Sequence, residues 1–67
     1  MPWINANSSM IDQFDYDADM KVLHVKFPGG EIYSFREVPA DVAAGFASAP
    51  SKGKFFHKSI KDAFKAL

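Results

Sequence analysis

The chain has 67 residues, eight acidic and eight basic side chains, and no cysteine. That length is one domain, which buries only about 60% of the surface its unfolded chain exposes, so a sizeable core needs large side chains. The ten aromatic residues supply them, and the missing cysteines exclude disulfides, a thiol nucleophile and a thiolate zinc site.

The first residues, MPWINANSS, carry neither a basic start nor an apolar run, so they do not read as a signal peptide. No stretch reaches the length of a membrane span, and a cytoplasmic protein is the expectation. Residues 1–7 are expected to be loose. Trp3 stands out among them: it either folds back onto the core or offers an exposed stacking surface, and core capping is the expectation.

Ser8 to Tyr16 is the first strand candidate. Met10, Phe14 and Tyr16 share one parity and Ile11 the other, which a bulge near Asp12-Gln13 reconciles. Asp17-Ala18-Asp19 has turn chemistry, because aspartate side chains accept hydrogen bonds from nearby backbone amides. In the next run Leu23, Val25 and Phe27 alternate with Val22, His24 and Lys26, placing three apolar side chains on one face of a strand. Pro28-Gly29-Gly30 then turns the chain, and Glu31 to Arg36 alternates again with Tyr33 and Phe35 on one side. Val38-Pro39 closes this hairpin and opens a helix, since proline fits a first helical turn and Asp41 suits the helix dipole. Val42, Phe46 and Ala49 fall at helical spacing, and Pro50 stops the run. From Lys52 to Leu67 a second helix is expected, capped by Ser51 and apolar along Phe56, Ile60, Ala63, Phe64 and Leu67. Lys54, Lys58, Lys61 and Lys65 form a stripe on its opposite side. The fold class read from these elements is α+β: a three-stranded antiparallel meander followed by two helices on one face, in the order β-β-β-α-α.

Charge is distributed unevenly. Residues 1–20 hold four Asp and no Lys or Arg, whereas residues 51–67 hold five Lys and one Asp. Such asymmetry marks either an acidic edge and a basic face or two ordinary solvated surfaces. Asp15, Asp17 and Asp19 imitate the start of a calcium loop, but no glycine follows and Lys26 stands where the bidentate acid belongs, so a turn is the reading. His24 and His57 lie on different elements without a ligand cluster, and no metal or cofactor is expected. Ser51-Lys52-Gly53-Lys54 lacks the glycine spacing and the hydroxyl of a Walker motif. It caps a helix or presents amides to a single phosphate, and the cap is better supported. No serine is paired with a base and an orienting acid, so no enzyme activity is expected.

Taken together, several residues stand in an ordered series. Ser8-Ser9 with Ile11 leads to Tyr16-Asp17, Leu23-x-Val25-x-Phe27, Gly30, Tyr33-x-Phe35 and Val38-Pro39. Ala49, Ser51-x-Gly53, Phe55-Phe56 and Ile60 complete it. This series resembles the KTSC domain, a short module found at the C-terminus of some lysyl-tRNA synthetases and as free-standing bacterial and phage proteins. The resemblance runs from Ser8 to about Phe64. The family's central Tyr-x-Tyr reads Tyr33-Ser34-Phe35 here, so any role of the second hydroxyl is lost while packing or stacking survives. The family's function is not established, and the resemblance implies RNA binding as a suggestion.

Two functions follow. One is an RNA- or other nucleic-acid-binding module, with Lys54, Lys58, Lys61 and Lys65 tracking phosphates and Tyr33 and Phe35 stacking bases if their sheet face is open; the core needs the same two rings, and a core role is the expectation for them. The other is a protein-interaction or adaptor module, using the acidic N-terminal segment and the lysine stripe as complementary surfaces.

Overall fold

The computed structural model of the chain describes residues 3–67. Four strands, β1 (Ile4–Asn5), β2 (Gln13–Asp17), β3 (Val22–Lys26) and β4 (Ile32–Phe35), form one antiparallel sheet in sequential order. Helix α1 (Ala40–Ser48) follows. Helix α2 (Lys52–Phe55) then runs directly into a π turn, Phe56–Ile60. The α+β class is as expected, with four strands in place of three.

The extra strand comes from the segment expected to be loose. Ile4 pairs with Phe14 and Asn5 with Gln13, and the Ala6 N–H donates to the Asp12 carbonyl at 3.0 Å. The pairing gives hydrogen-bond partners to one side of β2 and buries Ala6. Asn7 then turns the chain with φ 51°, a left-handed conformation asparagine tolerates. Met1 and Pro2, the rest of the segment expected to be loose, lie outside the described residues.

The bulge is where the alternation placed it. Lys26 is in register with Gln13, yet its carbonyl accepts from the Asp12 N–H at 2.8 Å, so Asp12 and Gln13 together face one residue of the neighbouring strand. Ile11 and Phe14, three apart, therefore both point into the core, and Met10 stays half exposed. At the β2–β3 turn the Asp17 carboxylate accepts from the N–H groups of Asp19 and Met20, both at 3.1 Å. At the β3–β4 turn the Phe27 carbonyl accepts from the Gly30 N–H at 2.8 Å, with Gly30 at φ 93°.

Register places Leu23 opposite Phe35 and Val25 opposite Tyr33 on the covered face. Phe14 meets Phe46 of α1 edge to face at 5.1 Å, and Phe35 meets Phe56 of the π turn at 5.6 Å. Ile60 and Val38 complete this core with no exposed surface. The Tyr16 hydroxyl donates to the Val38 carbonyl at 2.5 Å, while the Val38 N–H donates to the Lys21 carbonyl at 2.9 Å. These bonds fix the crossing from sheet to helix. In α1 the buried side chains are Ala43 and Phe46, with Val42 packed at the margin.

The second helix is much shorter than Lys52–Leu67. It ends with Ile60, and the Lys61 N–H donates to the Phe56 carbonyl at 2.8 Å, closing an i→i+5 turn. The tail then leaves the helix direction and lies along β4. The Arg36 N–H donates to the Lys65 carbonyl at 3.1 Å, the Leu67 N–H donates to the Ser34 carbonyl at 2.7 Å, and Ala66 bridges Phe35. The free side of β4 offers unpaired backbone groups, and the tail satisfies some of them in a way a longer helix could not. Leu67 is consequently exposed, not part of a helical apolar side.

Candidate nucleic-acid interface

The four lysines expected on one stripe fall in three places. Lys54 and Lys58 flank a groove with Ala49, Pro50, Phe55 and Ser59. Lys61 lines a different groove of about 260 Å³ with Phe27, Glu31, Tyr33, Phe56 and His57. Lys65 belongs to the tail along β4 and is off the helix.

The π turn explains the split. An α-turn stacks residue i+4 above residue i, whereas an i→i+5 bond stacks residue i+5 there. Lys61 therefore lies above Phe56 and turns toward the hairpin, away from Lys54 and Lys58. A sequence written at helical spacing does not show this.

The two aromatic candidates also part. Phe35 is 3% exposed and in contact with Phe56, so it belongs to the core. Tyr33 shares its sheet face but stands two register pairs further out, and 51% of its surface is open. Its ring meets Phe27 edge to face at 5.5 Å, Phe27 meets Phe56 at 5.4 Å, and Phe56 meets His57 at 5.6 Å. Each ring is braced by the next, so Tyr33 presents an exposed face on a rigid support. The structure thus joins Tyr33 and Lys61 in one groove and adds Phe27, Glu31 and His57. Glu31 and Tyr33 share strand parity, which the sequence displays. His57 at this place depends on how α2 docks.

The sheet face away from the helices carries Trp3, Asp15, His24 and Ser34. Trp3 lies edge-on to His24 at 6.4 Å and does not cap the core. His24 Nδ1 and Ser34 Oγ are 2.6 Å apart. Ser51 caps α2, its Oγ accepting from the Lys54 N–H at 3.5 Å. Among the described residues no group of three or more metal-ligating side chains is assembled, and no helix is long and apolar enough to cross a membrane.

A short antiparallel meander backed by two helices, with an aromatic and cationic groove at one end, defines a small α+β module of a kind known from sequence comparison. The KTSC domain model matches residues 7–64, and the chain belongs to that family. The crystal structure of a KTSC domain protein from Yersinia pestis is 33% identical and superposes with a TM-score of 0.93, covering 98% of this chain and 93% of that one. A lysine–tRNA ligase of Nostoc punctiforme is 38% identical over 64 residues, which are 96% of this chain and 11% of the ligase. The chain therefore spans about one ninth of the length of that relative. A protein of Tsukamurella paurometabola is 35% identical over 60 residues, covering 90% of both chains.

Proposed function

We propose that this KTSC domain is a non-enzymatic binding module for single-stranded RNA. An unpaired base stacks on Tyr33 with its phosphate at Lys61, and the strand then crosses the helix to the separate groove flanked by Lys58 and Lys54. The observation that carries this reading is the meeting of a half-exposed, braced tyrosine with a lysine turned toward it by the π turn. Every base has a π-face, so stacking on one aromatic side chain contributes about 1–3 kcal/mol without regard to sequence. Lysines nearby add the salt-dependent part of the affinity. The relatives support the same direction: a matching segment occurs in proteins named lysine–tRNA ligase, and an RNA-holding module suits an enzyme named for tRNA.

The test is an amide-shift titration of the isotopically labelled chain with a short unstructured RNA, at low and at tenfold higher salt. Shifts should gather at Tyr33, His57, Lys58 and Lys61. With three lysines on phosphates the affinity should fall by roughly two decades for the tenfold rise in salt. Replacing Lys54, Lys58 and Lys61 together by Glu should abolish binding. An absence of shifts at low salt and high RNA concentration refutes the proposal and directs the search to a protein partner.

A further inference from the structure

The groove contains one side chain that backbone binding does not explain. Glu31 stands beside Tyr33 and Lys61, with its carboxylate folded back over the turn at Gly29. A carboxylate repels phosphate, so on a surface that only tracked a strand it would oppose binding. It is acceptor-only and offers two oxygens side by side. Such a group suits a base that presents two adjacent donors.

We infer that the groove selects guanine, and this rests on the RNA-binding reading above. The Watson–Crick edge of an unpaired guanine offers the N1–H and the N2 amino group next to each other, two donors that match a carboxylate in the bidentate manner of an arginine guanidinium. Adenine and cytosine each present one amino group beside a ring acceptor, which faces the second carboxylate oxygen unfavourably. Uracil presents one N–H between two carbonyls and is the poorest fit. Spacing supports the arrangement: Glu31, immediately before β4, and Tyr33 are two residues apart and line the same groove, so a base lying on the Tyr33 ring directs its edge toward Glu31. Lys61, on the facing wall, takes the phosphate of the same nucleotide. The three side chains together read ring, edge and backbone.

The experiment compares four RNA pentamers, UUGUU, UUAUU, UUCUU and UUUUU, by amide-shift titration and by fluorescence anisotropy of labelled strands. The guanine pentamer should bind about tenfold tighter than the adenine and cytosine pentamers, as one good bidentate contact allows, with the uracil pentamer weakest. Glu31→Gln should remove most of that preference and leave uracil binding unchanged or slightly stronger. The Glu31 backbone contributes the carbonyl that accepts from Phe27, and its side chain is exposed, so the variant keeps the fold and its spectrum checks this. Equal affinities for all four pentamers, with shifts still at Tyr33 and Lys61, overturn the guanine assignment while the RNA-binding proposal stands. No shifts with any pentamer overturn both.

Discussion

The contact between the N-terminal loop and α2 offers a sharp test of the packing. Gly53 is a buried helical position, and replacing it by alanine in an unobstructed helix stabilises by about 1 kcal/mol. Here a Cβ at Gly53 lies 2.5 Å from Met10 Sδ, 3.1 Å from its Cβ and 3.2 Å from its Cγ. The sulfur belongs to a half-exposed side chain and can swing outward. The Met10 Cβ moves only with its backbone, and the Met10 N–H is held by Ser8 Oγ at 3.1 Å. Overpacking of this kind costs about 1–3 kcal/mol, so Gly53→Ala should be destabilising by about 1 kcal/mol after the propensity gain. In a domain of this size that lowers the melting temperature by about 4–8 °C. Met10→Gly removes the Cβ together with the Sδ and Cγ contacts, and the double variant should recover about 1 kcal/mol relative to additivity. Gly45 is the control. Its added Cβ meets only the end of the Phe55 ring, at 3.2 Å, which can tilt, so Gly45→Ala keeps much of the helix gain and should stabilise by about 0.5–1 kcal/mol. Urea denaturation followed by far-ultraviolet circular dichroism measures all four variants. A Gly53→Ala protein more stable than wild type, or a double variant that is simply additive, refutes the argument.

Two further outcomes are expected. Tyr16→Phe leaves the Val38 carbonyl without its hydroxyl donor and should cost about 1–2 kcal/mol in the same denaturation assay, because the bond ties β2 to the start of α1. Tyr33→Ala should keep the fold and lose RNA binding, whereas Phe35→Ala should remove about 3–5 kcal/mol and leave much of the chain unfolded, as read by circular dichroism and amide-shift dispersion.

Much of this fold is legible in the chain because local signals and packing agree. Leu23, Val25 and Phe27 alternate, Gly30 supplies the positive φ, and Val38-Pro39 starts α1 where the structure does. The bulge was readable too, since Ile11 and Phe14 could share a face only if one residue was left over. The missed features are those decided by partners distant in the chain. Ile4 and Asn5 have no periodicity of their own and become a strand because β2 needs a neighbour. Ala63, Phe64 and Leu67 fit a helical apolar side as well as Phe56 and Ile60 do, yet the tail is captured by the unpaired groups of Ser34 and Arg36. The lysine stripe failed for the same reason: its last two members lie beyond the point where the helical register changes. Tyr33 and Phe35 have the same parity and differ only in where Phe56 lands. Sequence period gave their face, and docking of the helix decided which ring stays open.

The turn at Phe56–Ile60 gives chain length a hold over the shape of the groove. Five residues close a ring that four would ordinarily close, and the surplus residue is what swings Lys61 over Phe56. Deleting a single residue there restores the regular register and rotates everything downstream by about 100°, carrying the ammonium away from Tyr33 without altering any side chain of the groove. Chains with this architecture could therefore keep every recognisable residue of the site and still lack the groove that joins Tyr33 to Lys61. The difference would appear as a one-residue gap in an alignment.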